Sequence, residues 1–324
     1  MRRWSHRLIV CGIIFALIVV AVALVLRPRS GKAKGLRVLY KPNANYLLYF
    51  VARDKGFFAA EGLDVKGIEM ESTNLMVQAL ASGQAEFNPS NSVPALYAAE
   101  QNSAGTFKFL YITLMAKGRS NNAIIVAKDS PIVRLQDLKG KTVGTPPGIT
   151  SVVMAQLIFK GALGSWEGIL FKELETRGLL QALAANQLDA IFAIEPLITM
   201  GKEKGIAKTL VIDAMETYVM DPIPIAGGVI SSDLAKANPD MAKRIQRAME
   251  KAIDYTRANE SECRKILAKA IGIEEGTANS LGVNTYWKLS EVEPEKVQRL
   301  ADMLLENGAL EKKVDTSCMY WKSK

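Results

Sequence analysis

The stretch KGKTVGTPPGITSVVMAQLIF, residues 139–159, predicts a strand, a tight loop and the first turns of a helix. Residues 142–143 carry the β-branched signal of a strand, and the glycines and prolines of residues 144–148 end it. Thr150 and Ser151 then predict an N-cap pair, because an apolar helical run follows them. The unpaired amide hydrogens at a helix start can hold an anion or a polar ligand oxygen. Alternatively, the loop caps its helix and binds nothing.

Short strand and helix units surround this stretch. Such alternation predicts an α/β sheet with ligand contacts at the carboxyl ends of its strands. Residues 89–92, PSNS, predict the start of a helix over 93–100, and Leu75 is expected on the inward face of the helix before it. The predicted strands are 35–40, 65–70, 85–88, 122–128, 189–194, 210–212 and 226–230, and amphipathic helices follow at 239–259, 262–270 and 294–307.

The two halves of the chain resemble each other. LASGQAEF at residues 80–87 matches LAANQLDA at residues 183–190, and each contains a helix end, a turn and an acidic strand start. The strand and helix pattern also restarts near Gly118. Together these features predict two lobes of similar build with a ligand between them.

The charge of the chain is concentrated at its start. The 324 residues are 49% apolar and 23% charged, which is typical of a globular protein with room for two domains. The net charge is +8, but residues 1–34 hold seven bases and no acid, so the rest of the chain carries only +1. Nucleic-acid binding is therefore not expected, because it needs a basic surface on the folded body.

Residues 8–26 are nineteen consecutive uncharged residues flanked by arginines. Such a run predicts either a secretion signal or a membrane anchor, and its length favours the anchor. Residues 21–23, AVA, would serve as a cleavage site. In both cases the body is expected in the periplasm or on the outer face of the cytoplasmic membrane.

Histidine and cysteine are scarce. The single histidine, His6, lies in the leader, and three cysteines make neither a disulfide framework nor a metal site. No catalytic residue, metal or cofactor is therefore predicted. Cys263 and Cys318 could pair in an oxidising compartment, although isolated cysteines are more often buried or free.

Several motifs resemble one known family. They are YKP at 40–42, RDKGFFAAEGLDV at 53–65, LQDLKGKTVG at 135–144, and QLDA at 187–190 with Glu195-Pro196. They are similar to the substrate-binding proteins of ABC importers for nitrate, sulfonates and taurine. The thiamine-pyrimidine synthase-like proteins share the pattern, but their cysteine-rich motif is missing here. The resemblance covers about residues 36–310.

This resemblance implies a fold and its division. The fold is α/β, a two-lobed type 2 periplasmic binding protein fold with an N-terminal transmembrane or signal helix at 1–34. Lobe I would comprise residues 35–117, lobe II residues 118–222, and residues 223–324 would complete lobe I with C-terminal helices.

The resemblance also implies ligand contacts. Pro146 and Pro147 stand where many relatives have Gly-Ser or Gly-Gly, so the loop here is stiffer. The contacts implied at matching positions are Asn43, Asn45, Tyr46, Thr73, Asn74, Ser90, Asn91, Gly148, Ile149, Thr150 and Glu195.

Each individual candidate has a structural alternative. Tyr46 either stacks on a ligand or packs against its own helix, and Asn91 either contacts a ligand or caps a helix. Arg119, near a lobe crossing, either pairs with a sulfonate or carboxylate or is a solvated surface residue. Glu195 either fixes the hinge by accepting backbone N–H bonds or binds a ligand amine.

The function expected from these features is capture of a small-molecule solute for an ABC importer. The solute would be a small organic anion or zwitterion, the partners a permease and an ATPase, and residues 8–26 would contact the membrane. Two alternatives are a thiamine-pyrimidine-precursor binding protein or related enzyme, and a membrane-anchored sensory solute-binding protein.

Overall fold

The computed structural model describes residues 34–119, 122–279 and 281–322, and the body from Gly35 onward forms a compact unit of its own. The predicted signal or anchor at residues 8–26 lies outside the described residues. Within the described ranges, no helix combines the length and apolar character that crossing a membrane requires.

The strands form a two-stranded pair, β1-β2, and two larger sheets. The first sheet has the order β11-β4-β10-β3, and the second sheet has the order β7-β6-β8-β5-β9. The strands are β1 (Lys34–Tyr40), β2 (Leu63–Glu69), β3 (Asn88–Ser92), β4 (Phe107–Met115), β5 (Asn122–Ala127), β6 (Thr142–Thr145), β7 (Leu170–Glu173), β8 (Ala190–Ile194), β9 (Ala207–Ile212), β10 (Ile223–Ser231) and β11 (Thr285–Lys288).

Helices connect and cover these sheets. They are α1 (Leu47–Asp54), α2 (Phe57–Ala60), α3 (Thr73–Ala81), α4 (Val93–Glu100), α5 (Ile149–Leu163), α6 (Thr176–Ala184), α7 (Leu197–Glu203), α8 (Ala214–Tyr218), α9 (Ser232–Ala237), α10 (Pro239–Ala258), α11 (Glu260–Ile271), α12 (Glu275–Ala278) and α13 (Pro294–Glu306).

The two sheets differ in how the chain builds them. The second sheet uses one continuous segment, residues 122–212, in which β6 lies parallel to both β7 and β8. The first sheet is antiparallel where β10 and β11 pair with β4, and its strands come from distant parts of the chain. The chain passes between the sheets after β4 ends at Met115 and again at residues 213–222. The division into lobes at 35–117, 118–222 and 223–324 stays a prediction.

Two local expectations from the sequence are wrong. The helix expected over 93–100 is confirmed, but residues 89–92 before it belong to β3, because pairing with β10 holds this segment extended. Only Ser92 caps α4, its Oγ accepting a hydrogen bond from the Ala95 N–H at 3.4 Å. Leu75 is 52% exposed, since the cap at Ser72 sets the buried face of α3 one residue further on, at Met76.

The resemblance between the two halves has a structural counterpart. Glu86 accepts a hydrogen bond from the Arg37 N–H at 2.7 Å, and the Phe87 N–H donates to the Arg37 carbonyl. Asp189 does the same with Thr142 in the second sheet: its carboxylate accepts the Thr142 N–H at 2.8 Å, while its own N–H donates to the Thr142 carbonyl. In each half, an acidic residue at a strand start therefore fixes the register of the neighbouring strand.

The outer edge of β11 is closed by an ion pair. Arg257 Nη2 donates to the Tyr286 carbonyl at 2.6 Å and to Glu291 Oε2 at 2.6 Å, and the Lys288 N–H donates to the same carboxylate at 2.9 Å. These bonds use polar groups that a free strand edge would offer to another chain. Chiefly because of the Arg257 hydrogen bond, the pKa of Glu291 falls to about 2.

Glu291→Gln is expected to lower the free energy of unfolding by about 1 kcal/mol at neutral pH, a modest figure because both side chains are partly exposed. The folded-state pKa is depressed, so the contribution is present above the unfolded pKa and is lost as pH falls toward about 2. Urea unfolding at about pH 7 and about pH 3 measures this. A difference from wild type that grows on acidification would contradict the assignment.

Candidate functional site

A cleft of about 580 Å³ lies where strands of the different sheets end. Its walls come from the loop after β1, the end of β3, the loop between β6 and α5, and the end of β8. In open α/β sheets this position, beyond the carboxyl ends of strands, is where ligands bind. The volume is within the range of small-molecule sites.

The cleft contains many of the residues named from the sequence. Asn74, Asn91 and Gly148 are not among the described lining residues, and the side chain of Ile149 is outside what the structure describes. The candidates that do line the cleft are Asn43, Asn45, Tyr46, Thr73, Ser90, Thr150 and Glu195.

The polar floor of the cleft is formed by β3. Ser90 and Ser92 line it, while Asn91, between them, does not, which agrees with the alternation of side chains along a strand. Ser90 is 7% exposed and its Oγ has no hydrogen-bond partner. Ser90 Oγ is therefore a polar group at the cleft that the protein itself leaves unsatisfied, at a cost in free energy.

The start of α5 differs from expectation. The helix begins at Ile149 with Gly148 as its N-cap, so Thr150 and Ser151 lie inside the first turn and cannot cap it. Gly148 has φ +113, which glycine tolerates, and its N–H donates to Glu173 at 2.7 Å. Thr150 Oγ1 instead lies 2.7 Å from Ser92 Oγ, which joins the second sheet's helix to the first sheet.

Glu195 lies at the end of β8 and is 5% exposed. Its carboxylate accepts the Thr199 N–H at 3.1 Å, the Thr199 hydroxyl at 2.8 Å and the N–H of Gly282. Burial raises the pKa of Glu195, and these hydrogen bonds oppose the shift. Because Gly282 precedes β11, the carboxylate connects the two sheets, and a hinge role for Glu195 stays a prediction.

Tyr46 and Arg119 both make contacts with other side chains of the protein. Tyr46 is 3% exposed, its hydroxyl lies 3.4 Å from Met76 Sδ, and burial raises its pKa. Arg119 does not lie in the cleft, so the expectation that it pairs with a ligand anion is corrected. Its guanidinium reaches Glu260, at a separate surface cavity of about 460 Å³.

The sequence interpretation missed Lys41 as a site residue. It follows β1, lines the cleft, and donates a hydrogen bond from Nζ to Thr73 Oγ1 at 2.9 Å. The signal available from sequence was its position directly after a strand, in YKPN. Arg177 and Lys204 also line the cleft but are exposed, as are Glu69 and Glu71.

One side of the cleft is apolar. These side chains come from the second sheet, its helices and the end of α11, and they suit a hydrocarbon or ring portion of a ligand. They include Leu180, Leu197, Met200, Ile206, Ile271 and Ile273.

Within the described ranges, no three histidine, cysteine, aspartate or glutamate side chains gather as a metal site would require. Cys263 is buried and Cys318 is exposed, and each is a free thiol.

The family profile described as "NMT1/THI5 like" matches residues 43–263, which is more than half of the chain. The chain belongs to this family. Solved structures show that this NMT1/THI5-like protein has the α/β periplasmic binding protein fold. The periplasmic aliphatic sulphonate binding protein SsuA from Escherichia coli superposes with a TM-score of 0.70 at 19% identity, covering 90% of this chain and 93% of that one.

Two further relatives show the breadth of the group. The periplasmic nitrate-binding protein NrtA from Synechocystis PCC 6803 has a TM-score of 0.70 at 14% identity, covering 88% of this NMT1/THI5-like chain and 84% of its own. The riboflavin-binding protein RibY of Chloroflexus aurantiacus is 25% identical over 239 residues, which is 70% of this chain and 63% of the relative.

Proposed function

We propose that the protein is the extracytoplasmic solute-binding subunit of an ABC importer and holds a small organic anion or zwitterion in the cleft. The observation that carries this proposal is the 580 Å³ cleft with the buried, unpartnered hydroxyl of Ser90 in its floor. The names of the sulphonate- and nitrate-binding relatives support the ligand class.

The remaining parts of the proposal follow from the same assignment. The two sheets would belong to lobes that close over the solute, and a permease and an ATPase would receive it. The body would be delivered outside the cytoplasmic membrane by residues 1–34, as a signal or an anchor. The proposal assigns binding to the cleft and includes no reaction.

The experiment combines calorimetry with X-ray scattering on residues 35–324, which form their own compact unit. Nitrate, taurine and butanesulfonate are added in turn. A saturable heat accompanied by a smaller radius of gyration is expected for at least one of them. Absence of both responses for all three would overturn the proposed function.

Thr150→Val is expected to weaken binding of the best of these solutes about threefold to tenfold, because a hydroxyl at the cleft wall is lost while its shape is kept. The ligand-free protein should lose about 1 kcal/mol of stability, because valine also removes the hydrogen bond to Ser92 Oγ. Thr209→Val, on the exposed face of β9, is the control. Unchanged affinity in Thr150→Val would remove this residue from the site.

A further inference from the structure

Lys41 differs from the other cations of the cleft in its surroundings. It is half-buried, whereas Arg177 and Lys204 are exposed to solvent. Salt and water screen exposed charges strongly, so a partly buried ammonium interacts more strongly with a ligand charge than they do.

The charge of Lys41 is poorly balanced by the protein. Its Nζ donates to the neutral hydroxyl of Thr73, and within the described part of the chain it forms no ion pair. The carboxylates that influence it, Glu71 and Glu175, are both exposed. Burial outweighs them and lowers the pKa of Lys41. A negative ligand group in the cleft would therefore stabilise the charged form of Lys41, which burial disfavours.

The apolar wall of the cleft limits the kind of solute that fits it. Leu180, Met200 and Ile271 line the same cleft as Lys41 and Ser90. A solute that satisfies both ends has one acidic group and a hydrocarbon or ring portion. An inorganic oxyanion would satisfy only the polar end and would leave most of the volume to water.

We propose that Lys41 is the specificity-determining cation of the cleft, and that it pairs with the single acidic group of a solute whose apolar portion lies against Leu180, Met200 and Ile271. This inference rests on the proposed solute-binding function and deepens it. Lys41 takes the role of pairing with a ligand anion that was considered for Arg119. The guanidinium of Arg119 pairs with Glu260 outside the cleft.

The test compares charged and uncharged probes of nearly the same shape, butanesulfonate and butanesulfonamide, by calorimetry on residues 35–324. Lys41→Met should lose about tenfold or more in affinity for the sulfonate, and Lys41→Arg should keep most of it. Affinity for the sulfonamide should change less than about twofold. Lys66→Met, on β2 and outside the cleft, is the matched control.

Raising the pH gives a second readout. Wild-type affinity for butanesulfonate should fall as Lys41 loses its proton below the ordinary pKa of 10.5, whereas Lys41→Arg should show no such fall. Circular dichroism confirms that each variant is folded.

The outcomes separate the two claims. If wild type binds butanesulfonate and Lys41→Met binds it equally well, the assignment of Lys41 is overturned while the solute-binding function stands. If nitrate binds more tightly than butanesulfonate, the claim that the solute has an apolar portion is overturned. If wild type binds no anionic probe, both the function and the inference fail.

Discussion

Replacing Asn122 with alanine is expected to lower the free energy of unfolding by about 3 kcal/mol. Asn122 is fully buried at the start of β5, where the chain enters the second sheet. Its Oδ1 accepts the Met215 N–H at 3.0 Å, and its Nδ2 donates to both oxygens of Glu216, the closer at 2.8 Å. Alanine would leave a buried N–H unpaired and remove a donor from a buried carboxylate, which are among the costliest single losses.

Urea unfolding of residues 35–324 measures this loss, and Asn102→Ala is the control because that side chain is exposed. The control should change stability by less than about 0.5 kcal/mol. A loss under about 1 kcal/mol for Asn122→Ala would show that water or a neighbouring group satisfies Glu216 and Met215.

Ala226→Phe is expected to weaken the affinity for the solute at least about a hundredfold, which is about 3 kcal/mol of binding free energy. The protein should stay folded. Ala226 lies in the middle of β10, directly opposite Ser92 and Thr113, and lines the cleft. Ala226 is 5% exposed and pairs with Ser92, so a phenyl ring at this position would extend into the cleft beside Ser92. Because Ala226 lines the cleft, the ring is expected to cause less strain there than inside the core.

Calorimetry with the best-binding solute tests Ala226→Phe against Ala184→Phe, which adds the same ring at an exposed helix end outside the cleft. Near-wild-type binding in Ala226→Phe would show that the solute binds at another place. The 460 Å³ cavity beside Arg119 would then be the next candidate site.

Local sequence signals predicted much of the fold. The strand signal at residues 142–143 is confirmed by β6, which extends to Thr145, and the long helices are confirmed because their hydrophobic periodicity and end signals agree. Residues 89–92 were misassigned because proline, serine and asparagine favour caps locally, while a strand partner more than 130 residues away decides their conformation. The four-residue strand β11 gave too short a signal and depends on β4 in the same way.

The candidate site, like the fold, could be predicted only where local sequence signals are sufficient. Candidates at strand and helix ends, such as Asn43, Ser90 and Glu195, came from the family resemblance, and they line the cleft at a position where α/β folds place ligands. Arg119 could not be judged, because its partner Glu260 lies 141 residues away in the sequence. Lys41 was missed since a single lysine after a strand carries no signal of its burial, which depends on the folded cleft.

The origin of each sheet's strands sets an order of assembly during synthesis. Residues 122–212 contain every strand of the second sheet, so this half can form as soon as it has been made. The first sheet must wait for β10, for β11 and finally for Trp321, whose N–H donates to the Phe109 carbonyl at 3.1 Å. Residues 35–115 therefore remain without their full set of partners until the last residues emerge, and such delayed, long-range pairing is slow.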